Sequence, residues 1–500
     1  MMKRNDFDFS QPNKQSYAAI VFLAYNFFRI LVRQLWPVLI AVLVGRENIK
    51  NMLIWIIAGI SILIFVFAVI SYFRYYFYID NDELVVVKGV FKRSRTNIPF
   101  QRIQTINIEQ SILHQLLKVT KLEVDTAGSK GTEFSFSALS MAKAEALRQV
   151  VLEQKSKILP SSESSDIEEL PGFELAPQTI LHLSFSELIR IGATQNHLRS
   201  LLIILAFFMT LYNQVEDIGV DTDQVVDQIN EEVVYFGKIA IIILALMSVL
   251  ASFTFSLIRT TIRYYDFTLF RTNDGFKIVS GLFTKKQISA KDHKIQYISW
   301  ADNPLKRLLG LYDVYLKQAS SSEIRDTKSI SIPGCDSKNV ERIKSYYVSP
   351  DEWKDLKNFK ISGKYVYVRV LYFGILPAMI VVSLLLFTDY KFYGLLTAIW
   401  PLLVYLAFKV NHKKWNFAIN NELIYIRNGI FGNYFKALRL YKIQSIALRQ
   451  SIYQRKHRLA TIIIYTASGN INIPYVHLDL AQDICNFVLF KIESDKRKWM

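Results

Sequence analysis

Cysteine is nearly absent: two in 500 residues, Cys335 and Cys485, in different segments and without CxxC spacing. That excludes a disulfide framework and a cysteine zinc site, and it suits a reducing compartment. Histidine is scarce too, and the seven (114, 182, 197, 293, 412, 457 and 477) are scattered without ligand or triad spacing. His114 and His457 fall in short helical stretches, where exposed histidines are expected. No G-x-x-x-x-G-K-[ST], H-E-x-x-H or G-x-S-x-G string occurs, so the expectation is a non-enzyme with no cofactor and no metal. Acidic residues are outnumbered, 43 against 60 basic ones, for a net charge of +17. No arginine-rich tail or RNP-type motif accompanies that charge, which argues against nucleic acid as the partner. What is abundant is apolar surface: 51% hydrophobic residues, 34 of them Phe, clustered in runs.

A helix needs ~20 apolar residues to cross ~30 Å of hydrocarbon. "MLIWIIAGISILIFVFAVISYF" (52–73) and "GKIAIIILALMSVLASFTFSLI" (237–258) meet that with no central charge. "YVRVLYFGILPAMIVVSLLLFT" (367–388) carries Arg369 near enough to its end to snorkel, and "FYGLLTAIWPLLVYLAF" (392–408) follows closely enough to form a hairpin with it. "LRSLLIILAFFMTLY" (198–212) is a shorter candidate. In "SYAAIVFLAYNFFRILVRQLWPVLIAVLV" (16–44), Arg29 and Arg33 sit mid-segment. A centred charge costs about 3 kcal/mol or less on insertion scales. Residues 16–33 are therefore expected in the headgroup plane, with the chain diving after Trp36-Pro37.

The loops orient these three pairs. Residues 213–231 include Glu216, Asp217, Asp221, Asp223, Asp227 and Glu231 with no Lys or Arg, whereas the stretches after 73, 258 and 408 are rich in both. The positive-inside rule makes the latter cytoplasmic. Asp221, Asp223 and Glu232 mimic positions 1, 3 and 12 of a calcium loop, but Val226 stands where its turn demands Gly, so a solvated acidic loop is expected.

A threefold repeat fills those cytoplasmic stretches. "VKGVF", "VSGLF" and "RNGIF" align on Gly89, Gly281 and Gly429, and an Ile-Gln pair follows fourteen residues later each time: Ile103-Gln104, Ile295-Gln296 and Ile443-Gln444. Ungapped similarity of this kind marks a repeated module. Each repeat opens on a hairpin pattern, as in "YYFYI", "DND", "ELVVVKG". An alternating run reaches the Ile-Gln pair, and Ser111, Asn303 or Ser451 is placed to cap one or two helical turns. Two more strands and an amphipathic helix (140–154, 337–348, 479–493) close the module. This is the outline of a small barrel or bent sheet plugged by a C-terminal helix. The Ile residues are expected to point inward and the Gln residues to bond a neighbouring loop or strand.

The run "GVFKRSRTNIPFQRIQTINIEQSILHQLLKVTKLEVDTAG" resembles the pleckstrin-homology-like (PH-like) domain of the YdbS/YdbT-type bacterial membrane proteins. Their pattern is a glycine, a basic strand, I-P-x-x-x-I-Q, a short N-P-L-x-x-L-L-G-like helix and an aliphatic strand. The likeness covers nearly the whole chain and includes "LSFSELIRIGATQNHLRSLL" (183–202). Repeat two keeps Pro304, Leu305, Leu308 and Leu309 but lacks Ile-Pro; repeat three replaces the apolar helix with Arg455, Lys456 and Arg458. The resemblance implies a multi-pass protein of a bacterial inner membrane, a YdbS-like partner or homo-oligomer, and a role in envelope stress or protection from membrane-active peptides.

The fold expected is thus α-helical transmembrane hairpins plus α+β modules. Residues 1–73 hold an interfacial helix and the first pair, 74–154 PH-like domain 1, 155–178 a linker, and 179–258 an interfacial helix and the second pair. PH-like domain 2 is 259–348, a linker and third pair 349–410, and PH-like domain 3 411–493. Lys92, Arg93 and Arg95, then Lys285, Lys286, Lys291 and Lys294, then Lys436, Arg439 and Lys442 occupy the strand between glycine and Ile-Gln. They are candidates for an anionic-phospholipid or partner surface, against the alternative of a solvated face that blunts an edge strand. A scaffold is the leading reading and a transporter or channel component the alternative; against the latter stand few intramembrane charges.

Overall fold

The structure, a computed structural model, describes residues 7–44, 47–126, 134–158, 178–195, 231–319, 329–387 and 399–495, with Leu202, Ala206, Gly394, Thr397 and Arg497 singly. Residues 159–177 of the linker, nearly all of the expected span 198–212, and the acidic loop up to Asn230 lie outside the described residues.

Long helices precede each repeat: Ala18–Val44 and Glu47–Phe73, then Glu231–Tyr264, then Lys364–Leu385 and Ile399–Lys414. Among the described residues Lys364–Leu385 is long and apolar enough to cross a membrane, and Ala18–Ile30 and Gly59–Phe73 are shorter apolar stretches. The first helix runs unbroken from Ala18 to Val44 through Trp36-Pro37. Pro377 acts differently. Residues Leu371–Ile375 open into a π turn, Pro377 has no N–H to return to Phe373, and the Trp400 indole donates to the Phe373 carbonyl at 2.8 Å instead. A Cβ at Gly374 would stand 3.1 Å from Pro401 Cα, so glycine sets the close approach of that helix pair.

Repeat one comprises β1 (Tyr76–Asp80), β2 (Glu83–Lys88), β3 (Ser94–Pro99), β4 (Ile103–Gln110), β5 (Val119–Thr126) and β6 (Phe134–Ser140), with a one-turn helix at Ile112–Leu116 and a closing helix at Met141–Ile158. Two antiparallel sheets, β1–β2–β3 and β4–β5–β6, face each other. Phe77, Leu84, Val86 and Ile98 meet Ile106, Ile108, Leu122, Val124 and Phe136 in one core, which the closing helix seals with Ala144, Leu147 and Val151. Period-two alternation in the strands produces this, since every second side chain turns inward.

After β7 (Gln178–His182), repeat two supplies β8 (Thr268–Thr272), β9 (Gly275–Ser280), β10 (Lys285–Lys291), β11 (Ile295–Asp302), β12 (Tyr312–Gln318) and β13 (Ser329–Cys335). After β14 (Lys357–Phe359), repeat three supplies β15 (Asn416–Ile419), β16 (Leu423–Asn428), β17 (Asn433–Arg439), β18 (Ser445–Arg449), β19 (Leu459–Thr466) and β20 (Gly469–His477). Ser184 and Glu187 form a reciprocal capping box at the start of the helix Phe185–Ala193. In repeat three the helix Leu478–Ser494 packs Ala481, Ile484 and Val488 on Ile462, Ile464, Ile471 and Ile473.

The repeat signature has a local cause. Gly89, Gly281 and Gly429 have φ of 116°, 106° and 134°, where an L side chain is strained, and a Cβ on Gly89 would lie 2.0 Å from Lys92 O. The buried Ile103, Ile295 and Ile443 each close a 3-10 turn, their N–H bonding back to the carbonyl of Phe100, Asp292 or Leu440. The pairing shifts by one residue between Ile103 and Thr105 and between Ile295 and Tyr297. Gln104 and Gln296 therefore sit at bulges that open the second sheet. Gln296 is buried, whereas Gln444 is exposed and its backbone N–H bonds Tyr465 O at 2.9 Å.

The chain forms two compact units: residues 1–178 with 270–290 and 320–327, and residues 179–269 with 291–319 and 328–500. In the first, the sheet β6–β5–β4 continues through β10 and β9, strands of the next repeat. In the second, one sheet runs β13–β12–β11–β17–β16–β15–β14, so repeat three extends repeat two, and β18–β19–β20 stands as a separate sheet. The repeats are thus joined strand to strand, which the sequence, read as self-contained modules, did not indicate.

Candidate membrane interface

The ten basic candidates fall into distinct environments. Lys92, Arg93 and Arg95 are exposed, Arg95 donating to Asn97 at 3.2 Å. In repeat two, Lys285 is exposed, Lys286 lies 3.5 Å from the Glu109 carboxylate, Lys291 is half-buried and Lys294 is 1% exposed. In repeat three, Lys436 faces Ser299 across the β11–β17 ladder, and burial lowers its pKa, helped by the Lys317 charge. Arg439 grips Glu352 through two bonds of 2.8 and 3.1 Å. Lys442 is 2% exposed and donates to His293 O at 2.5 Å; burial, and then the Arg439 charge, bring its pKa down to about 8. Lys294 and Lys442 precede the inward Ile at equivalent places and are buried, whereas Arg102, at that place in repeat one, is exposed. Of the ten, Lys92, Arg93, Arg95 and Lys285 are the bases open to solvent.

Apolar side chains are more telling. In the first unit Phe91, two residues beyond Gly89, is 92% exposed, and its ring lies 5.5 Å from Phe67 of the helix Glu47–Phe73. Beside it stand the basic Lys92 and Arg93. Ile112, Leu113 and Leu116 are exposed on the one-turn helix, and so are Leu282 and Phe283 in the equivalent glycine loop. Gln115 ties the two by donating to Phe283 O at 2.8 Å. In the second unit Leu308, Phe431 and Ile452 are 83%, 75% and 93% exposed. Lys414, at the end of the helix Ile399–Lys414, holds the Phe431 loop through bonds to Ile430 O (2.8 Å) and Gly432 O (3.2 Å). Each glycine loop and each one-turn helix thus presents uncovered hydrocarbon next to cations, the composition that favours a lipid headgroup boundary. A signal for this was present in the sequence: Phe91, Phe283 and Phe431 recur two residues after the anchoring glycine.

The expectation of an exposed His114 is corrected. It is buried, stacked on Phe22 of the first helix with centroids 3.9 Å apart. Its Nδ1 receives the Ser111 hydroxyl at 2.6 Å and its Nε2 donates to Ser137 O at 2.9 Å. Burial lowers its pKa, which keeps the ring neutral and both nitrogens satisfied. His457 is half-buried and accepts from Lys364 Nζ at 2.8 Å.

The bacterial PH domain family matches residues 22–155, 201–349 and 368–489, each a repeat with helix preceding it. This chain belongs to the bacterial PH domain family. As a PH-domain protein it is 21% identical over 454 residues to the UPF0699 transmembrane protein YdbT of Bacillus subtilis (strain 168), covering 89% of this chain and 88% of that one. It is 28% identical over 138 residues to the UPF0699 transmembrane protein YdbS of the same organism, covering 27% of this chain and 84% of that one. The longer relative thus parallels all three PH domains and the shorter one corresponds in size to about one.

Proposed function

We propose that this protein is a non-catalytic, multi-pass component of the bacterial inner membrane that holds three PH domains against the inner leaflet on the cytoplasmic side. The observation that carries the reading is the apolar tip of each domain, above all Phe91 beside Phe67 and Lys92. Burying such a side chain contributes about 1.5–3 kcal/mol, and each flanking cation adds about 1 kcal/mol near an anionic surface. Helix pairs act as anchors, and the domains serve as a scaffold in envelope stress or in resistance to membrane-active peptides, with a YdbS-like protein or further copies as partner.

The full chain in nanodiscs tests this. Phe91→Cys and Phe431→Cys should react with a water-soluble maleimide about tenfold more slowly than Lys338→Cys when the lipid is anionic, as a burial of about 1.5 kcal/mol implies, and the gap should narrow in neutral lipid. Equal rates at all three sites would overturn the reading. The native Cys335 and Cys485 are buried and give little background. At the level of the cell, a deletion strain should be more susceptible to membrane-active peptides.

A further inference from the structure

The two joins between repeats use one register. At the first, Lys285, Lys286 and Gln287 of β10 face Gln110, Glu109 and Ile108 of β4. At the second, Asn433, Tyr434 and Phe435 of β17 face Asp302, Ala301 and Trp300 of β11, and pairing continues to Leu438 with Tyr297. Counted from the anchoring glycines, position four of the following repeat meets position twenty-one of the preceding one in both cases. Two independent sequences reaching the same antiparallel register make this a reusable joint.

Two halves of that joint are left over. β3, the counterpart of β10 and β17, pairs with β2 alone, and β18, the counterpart of β4 and β11, pairs with β19 alone among the described residues. β18 carries the mark of a missing neighbour: Ile446 is half-buried where Ile106 and Ile298 are buried. We propose that β18 of one copy of this chain adds to β3 of a second copy, so that copies line up head to tail in the membrane. The same register sets Arg93 against Gln450, Ser94 against Arg449, Arg95 against Leu448, Thr96 against Ala447, Asn97 against Ile446 and Ile98 against Ser445. No two like charges oppose each other. Pro99, which has no N–H for a ladder, falls one residue outside the paired stretch. Lys92 takes the place of Thr284, and the first joint accommodates that side chain. Because the two complementary edges are different strands, the contact is heterologous and extends into rows.

Disulfide trapping in the full-length, membrane-embedded chain tests the proposal independently of lipid docking. Ser94→Cys chains mixed with Arg449→Cys chains should give a cross-linked dimer under mild oxidant, and chains carrying both changes a ladder of multimers. Ser94→Cys mixed with Ser445→Cys should not, since four residues of strand displace the partner by about 13 Å and a disulfide requires Cα atoms about 4.4–6.8 Å apart. Both substituted serines and Arg449 are exposed, so folding is preserved. Equal yields from the two mixtures, no cross-link in either, or a chain that stays monomeric while capturing only a separate single-domain protein would each overturn it.

Discussion

The two joints share a register and differ in nearly everything else. The first is short and polar: three residue pairs, a half-exposed Lys286–Glu109 contact at 3.5 Å, and Ser289 N–H reaching Asn107 at 3.4 Å. The second is six pairs long and centred on aromatic and buried polar groups. Trp300 stacks on Phe435 at 5.3 Å with Lys344 4.8 Å above its ring. Asp302 accepts the Asn433 backbone N–H (2.9 Å), the Asn433 amide (2.7 Å) and Arg307 (2.7 Å). Backbone pairing in one register is therefore enough to define the joint, while side chains decide how strongly it holds. Edge pairing supplies generic hydrogen bonds, and its strength comes from the cross-strand neighbours and their burial.

Hydrogen exchange of strands β10 and β17 reads the two joints separately. Trp300→Ala should have the largest effect, weakening the second joint by about 3 kcal/mol or more, seen as loss of protection at 433–438; an unchanged β17 would break the contrast. Asp302→Ala should cost about 3 kcal/mol, because Asn433 and Arg307 lose a charged acceptor. Burial alone would raise the Asp302 pKa, but the bonds from Arg307 and Asn433 outweigh it and hold it below the usual 3.8. A depressed carboxylate stabilises the fold above its unfolded pKa and loses that contribution as pH falls through the folded value. The second joint should accordingly loosen below about pH 3.8 in the wild type and lose that acid step in Asp302→Ala. Gly432→Ala should cost about 2 kcal/mol by overpacking, since its Cβ would fall 2.0 Å from Asp302 O; Thr284→Ala, at the equivalent place, should be near neutral. Smallest is Glu109→Ala, expected to shift protection of β10 by less than about 1 kcal/mol, as for other partly exposed ion pairs. A larger loss there would show that the first joint depends on charge after all.

Much of each PH domain could be read from the chain. The glycine-to-Ile spacing located the repeat, though not its 3-10 turn; alternation located the strands that bury Leu84, Val86, Ile106 and Ile108; Ser451 and Asn303 cap their helices as expected, whereas Ser111 turns its hydroxyl to His114 instead. The basic strand was legible as a strand but misleading as a single surface. Lys286, Lys436 and Arg439 meet Glu109, Ser299 and Glu352, partners distant in sequence, and Lys442 is buried against the His293 carbonyl of another repeat, which periodicity does not report. His114 looked like an ordinary surface residue because Phe22, which covers it, belongs to another segment.

By itself the sequence determined three repeats, their strands and helices, and the apolar runs before them, all consequences of local φ preference and side-chain period. Tertiary structure alone decided which edges meet. A strand's edge offers the same N–H and C=O groups whatever its sequence, so nothing local tells β10 to leave its own repeat for β4, or leaves β3 and β18 without a neighbour.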